Sequence, residues 1–224
     1  ADGVAALAVI TTMLAAAGAV TTWMVLDLIR SGKPSLSGSA IAAIVGLVVI
    51  TPAAGSVAPI SAIVMGSIGA IASYFTIALI RRSQLDDTLD VFACHGVGGV
   101  VGSVLTGVFA STAINPDGAD GVIAGSTSLL WAQIVSVTAA ATFAAGGTAL
   151  ILWIIRLFMP LRIPGGAERA GIDVAEHNER AYSATWIAVV EDHPTNELPF
   201  TNTRLARVGS NGREHARPQV ETMS

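Results

Sequence analysis

The 224-residue chain is 52% hydrophobic and 12% charged, with a net charge of −4. Soluble domains carry about 25% charged residues, so a composition this poor in charge, with long apolar runs, points to an integral membrane protein. The charges form no basic stripe for nucleic acid, and the single cysteine, Cys94, excludes an intrachain disulfide and a multi-cysteine zinc site.

Five apolar stretches predict an all-α, polytopic membrane protein. The first covers about 4–29, with Asp27 near its end. It begins close to Ala1 with no charged segment before it, which either a cleaved leader or a missing upstream part would produce. The second, about 36–53, is rich in Gly, Ala and Ser and stops at Thr51-Pro52. The third covers about 57–80 and the fourth about 91–110. The fifth covers about 126–159 without a proline before Pro160. A single helix of about 34 residues would be about 50 Å long, so in a ~30 Å hydrocarbon layer it must tilt or project. Residues 1–162 therefore read as a transmembrane domain. Residues 163–224 are polar and lack helical periodicity over most of their length, so they read as a cytosolic tail. Within that tail, 181–190 is mildly apolar.

The basic residues set the expected orientation. Arg30 and Lys33 lie in the loop after the first span, Arg81 and Arg82 in the loop after the third, and the rest at or beyond Arg156. The alternate loops, 51–56 and 111–125, hold no Lys or Arg. The positive-inside rule then places the charged loops and the C-terminus in the cytoplasm and the N-terminus of the chain outside.

The fourth stretch carries DVFACHGVGGVVGS, 90–103, with a histidine inside an apolar run. On an α-helix His95, Gly98, Gly99 and Gly102 share one face, which Val91 and Thr106 extend. Glycines at small-xxx-small spacing admit a close neighbouring helix, which predicts that His95 faces the bundle interior. His95 either serves as hydrogen-bonding glue between helices or marks an ion or solute pathway. The second reading is preferred, because ionisable groups within a membrane usually line pathways and imidazole both donates and accepts.

Asp86, Asp87 and Asp90 precede this helix, where Asp87 or Asp90 is placed to cap it. Pro52 frees carbonyls at the end of the second span, and Trp23, Trp131 and Trp153 are candidate interface anchors. No metal, nucleotide or hydrolase motif stands in a credible context, and His177 and His193 lie in the polar tail. The chain is expected to be no enzyme and to need no cofactor.

Four segments resemble signatures of the ammonium transporter (Amt/Mep/Rh) superfamily. They are GKPSLSG (32–38), GLVVITPAAGSVAP (46–59), LDDTLDVFACHGVGGVVGSVLTGVFA (85–110) and GIDVAEHNERAY (171–182). The resemblance covers about 1–182. It implies the family's eleven-helix fold, built from two inverted halves, with this chain aligned to spans seven to eleven and the tail. It also implies that His95 is the second of two pore histidines, with Val91, Ile44 and Thr51 lining the ammonium pathway. Gly98, Gly99 and Gly102 are then helix-packing positions near the pore. Ala93-Cys94 departs from the more usual Gly-Val. The first histidine, the phenylalanine gate and the outer recruiting site belong to spans absent from this chain, which therefore reads as a fragment holding half a pore.

The resemblance further implies homotrimers of full-length subunits. It also implies a regulatory tail around Gly171, Asp173, Glu176 and His177, where a P-II-type nitrogen regulatory protein docks on the cytoplasmic face. Residues 163–190 take that regulatory reading and 191–224 stay plain solvated chain. The rivals are an ammonium sensor of the same fold and a half-size, five-span protein that oligomerises into a pore.

Overall fold

A computed structural model describes residues 2–179, and among these every regular element is helical. The chain divides into two compact units, Ala1–Ile154 and a second beginning at Ile155.

In the first unit α1 spans Gly3–Ser31. The Asp2 carboxylate accepts the Ala5 N–H at 2.9 Å, and Gly32 ends the helix at φ 75°, a left-handed conformation that suits glycine. Helix α2, Leu36–Ile50, starts at Ser35, whose Oγ accepts the Gly38 N–H. Pro59 opens α3, Pro59–Ile80, at a position where a missing N–H costs nothing. A π-helical turn, Phe92–Val97, leads into α4, Gly98–Phe109, and α5 spans Ser128–Arg156.

Helices α1, α2 and α3 pack on one another, and α4 lies on α2 and α3. Their core is built from small side chains: Ala15, Val45, Val49, Ala62 and Met65 in one cluster, and Ala19, Ala42, Ala70 and Ala93 with Trp23 and Ile77 in the other. Backbones meet at the centre. A Cβ on Gly66 would strike the Ala15 carbonyl oxygen, and one on Gly46 would sit 2.6 Å from the Ala16 Cα. Without an apolar driving force between helices in lipid, such close contact supplies the dispersion and fit that hold spans together.

All five expected stretches are helical, with two corrections to their extent. Helix α2 has 15 residues, about 22 Å, and is the one short of a span. Pro52 cannot donate to the ladder, and the chain continues as tight turns with Ala53 N–H on Ile50 O at 2.8 Å and Ser56 N–H on Ala53 O at 2.7 Å. Helix α5 has 29 residues rather than about 34, which still gives about 44 Å.

Trp23 is also a correction. It is buried, edge-on to Tyr74 with ring centroids 4.9 Å apart, and is a core residue rather than an interface anchor. Trp131 and Trp153 are exposed on α5, none of whose residues is buried.

The second unit holds two short helices, α6 (Gly165–Ala170) and α7 (Ile172–His177), packed on each other. This part of the tail is thus more helical than its aperiodic sequence predicts. Gly171 joins the two at φ 98°, and Asn178 ends α7 in a left-handed conformation. The expectations for 181–190 and 191–224 fall outside the described residues.

Candidate functional site

The site grows from the acidic loop before the fourth span. Asp90 adopts φ 55°, turning the chain sharply into the helix, and its buried carboxylate accepts from Arg81 Nη2 at 3.1 Å. Asp87 takes the capping role, accepting the Val91 N–H at 2.9 Å and the Phe92 N–H at 3.0 Å. Of the two capping candidates, Asp87 holds the helix start and Asp90 anchors the loop to the end of α3. Asp86 accepts only the nearby Thr88 hydroxyl.

His95 lies inside the π turn, and this changes the face expected from α periodicity. A π turn holds one residue more than an α turn, which advances everything beyond it by about 100°. Gly98 and Gly102 are buried, whereas His95 and Val91 are exposed on the described residues. His95 therefore does not share the packed glycine face or the interior of this bundle.

The three glycines differ. A Cβ on Gly102 would strike the Val49 carbonyl oxygen, so α4 and α2 touch backbone to backbone there. Gly98 is in near contact with Val48, and Gly99 has nothing within 4 Å. Gly99 is thus not a close-packing position among the described residues.

On α2, Ile44 is 44% exposed and Thr51 is exposed just beyond the helix. With Ser37, Ala40 and Leu47 they form a stripe spaced by three and four residues. The Thr51 hydroxyl donates to the Leu47 carbonyl at 2.6 Å. Helix α2 and the π turn are in contact, so the four pore candidates sit on the exposed sides of adjoining elements. The four candidates are one imidazole, two apolar side chains and one back-bonded hydroxyl, and the stripe on α2 adds the exposed Ser37. A groove of about 260 Å³ opens among Arg30, Phe75, Ala78, Leu79 and Arg82 and includes none of these candidates.

The family model described as the Ammonium Transporter Family matches residues 1–182. The chain belongs to the ammonium transporter family. It is 43% identical over 182 residues to the ammonium transporter of Bacillus subtilis (strain 168), covering 81% of this chain and 45% of that protein. The crystal structure of Candida albicans Mep2 is similar with a TM-score of 0.67 and 36% identity, over 70% of this chain and 36% of that one. A solved sensor Amt protein is similar with a TM-score of 0.69 and 26% identity, over 79% of this chain and 43% of that one. The chain thus spans less than half the length of each. As a member of the ammonium transporter family it is a multi-pass membrane protein and not an enzyme.

Within this family chain the tail positions Gly171 and Asp173 are half-buried in the second unit, while Glu176 and His177 are exposed. Sequence reasoning missed several buried polar groups. Thr11 donates to the Ala54 carbonyl at 2.5 Å, joining α1 to the turns after α2. Asp27 accepts the Ser35 N–H and Oγ, both at 3.1 Å, and ties the loop to the end of α1. Ser73 donates to the Ala93 carbonyl inside the π turn at 2.8 Å. Its one sequence signal was a hydroxyl on the small-residue face Gly66, Gly69, Ala70, Ser73 of α3.

Proposed function

We propose that this chain forms one half of the wall of a pore that conducts ammonium nitrogen as ammonia. The observation that supports this best is the exposed imidazole of His95, beside Val91, presented by a π turn in a membrane span of an ammonium transporter family chain. A hydrated cation entering a narrow apolar passage loses its water at high cost, whereas neutral ammonia loses little. Ammonium gives up a proton at the outer mouth, ammonia passes His95, Val91, Ile44 and Thr51, and protonation is restored inside. The neutral imidazole has one donor and one acceptor nitrogen, enough to hold ammonia or relay a proton to a second histidine.

In this reading further spans supply the opposite wall, subunits associate as homotrimers, and residues 1–162 form the membrane domain. The loops holding Arg30, Lys33, Arg81 and Arg82 and the tail from 163 face the cytoplasm. There Gly171, Asp173, Glu176 and His177 belong to a surface for a P-II-type regulator. Similarity to a sensor Amt protein favours a second reading, in which the same pathway reports ammonium rather than supplying it.

The deciding experiment is His95→Ala in the intact protein, reconstituted in liposomes with ammonium and methylammonium as substrates. Uptake should fall about tenfold or its selectivity should change, as befits loss of a proton-handling group. Unchanged uptake together with unchanged ammonium currents would remove His95 from the pathway. Ammonium binding without flux in the wild type would favour the sensor.

A further inference from the structure

Hydroxyls in these spans mostly bond back to their own helix. Thr21 donates to Ala17 O, Thr76 to Ala72 O, Thr106 to Gly102 O and Thr138 to Ile134 O, each four residues earlier. Ser73 differs. Fully buried on α3, it reaches across to the Ala93 carbonyl at 2.8 Å. Ala93 lies two residues before His95, within the π turn.

That carbonyl is an acceptor of the turn's own ladder. In an α-helix the Ala93 oxygen would accept from the N–H of Val97. A π turn pairs residues five apart, which passes the backbone partner on to Gly98, whose N–H also reaches the His95 carbonyl, so the Ala93 oxygen keeps a lone pair open to a partner from outside. The Ser73 hydroxyl occupies it. A second tie from the same helix acts at the turn's entrance, where Arg81 holds Asp90 at 3.1 Å. Helix α3 thus grips the segment before and within the wide turn.

We propose that Ser73 is a positioning residue for His95, holding the π register through the Ala93 carbonyl. Without the hydroxyl the segment relaxes towards the α register, and the imidazole turns towards the face of Gly98 and Gly102. The pore reading is needed only for the consequence in transport, since the clamp itself stands on geometry.

Three variants of the intact protein test this: Ser73→Ala, and the pair Ser73→Thr and Ser73→Val, which match in shape and differ in the hydroxyl. Hydrogen–deuterium exchange over 92–98 should rise about fivefold in the Ala and Val variants, the factor expected when one buried hydrogen bond is lost, and stay near wild type in Thr. The pH profile of ammonium transport should move in Ala and Val and be restored in Thr. Unchanged exchange in both Ala and Val overturns the clamp. Raised exchange with an unmoved profile, where His95→Ala is inactive, overturns the positioning of His95 by Ser73. Raised exchange with an unmoved profile, where His95→Ala is also silent, leaves the clamp standing and removes the pore reading instead.

Discussion

Asp90 combines a left-handed backbone with a buried carboxylate held by Arg81. The left-handed conformation costs a β-carbon-bearing residue about 1–2 kcal/mol, which glycine escapes. Asp90→Gly loses the ion pair alone, and Asp90→Ala loses the pair and bears the strain without a local hydrogen-bonding side chain. Thermal unfolding in detergent should therefore rank Asp90→Ala below Asp90→Gly, by about 1 kcal/mol. Equal stability of the two would show that the backbone relaxes. The histidine and the acidic loop were legible as residues; their division of labour was not. Whether an aspartate caps a helix or pairs with an arginine depends on the turn between them, and both roles use the same side chain.

Elements were easier to read than their registers. Runs of about 20 apolar residues announce membrane helices because no other open structure satisfies its backbone in lipid. Periodicity assumes a constant 3.6 residues per turn, so a π turn fixed by Ser73 on another helix defeats it. Trp23 was misread for a related reason: in an apolar span, composition cannot separate the side packed on protein from the side facing lipid. The glycines of α4 permit a sharp comparison. Gly102→Ala drives a methyl against the Val49 backbone and should cost about 1–3 kcal/mol, read as a lower melting temperature. Gly99→Ala meets open space among the described residues and should leave stability unchanged or slightly raised. A Gly99→Ala variant as damaged as Gly102→Ala would reveal further protein packed over that face.

At the scale of the molecule, the basic residues predict which loops share a side. In membranes of the intact protein with Cys94 replaced, Ser83→Cys and Ala113→Cys should react with an impermeant thiol reagent from opposite faces, Ser83 from the cytoplasm. Labelling of both from one face would overturn the five-span topology. The same scale bears on the proposed pathway. Among the described residues His95, Val91, Ile44 and Thr51 are exposed rather than enclosed, and in the proposed reading the described helices supply one wall of the pathway.

The meeting of Gly46 and Gly66 with Ala15 and Ala16 has a mechanical consequence. Side chains usually absorb small displacements between helices by changing rotamer, but here main chains touch and no rotamer is available. The midpoint of α1 is therefore a fulcrum. Closer approach of these spans is blocked at Ala15, so helices that tilt against one another there move most at their ends.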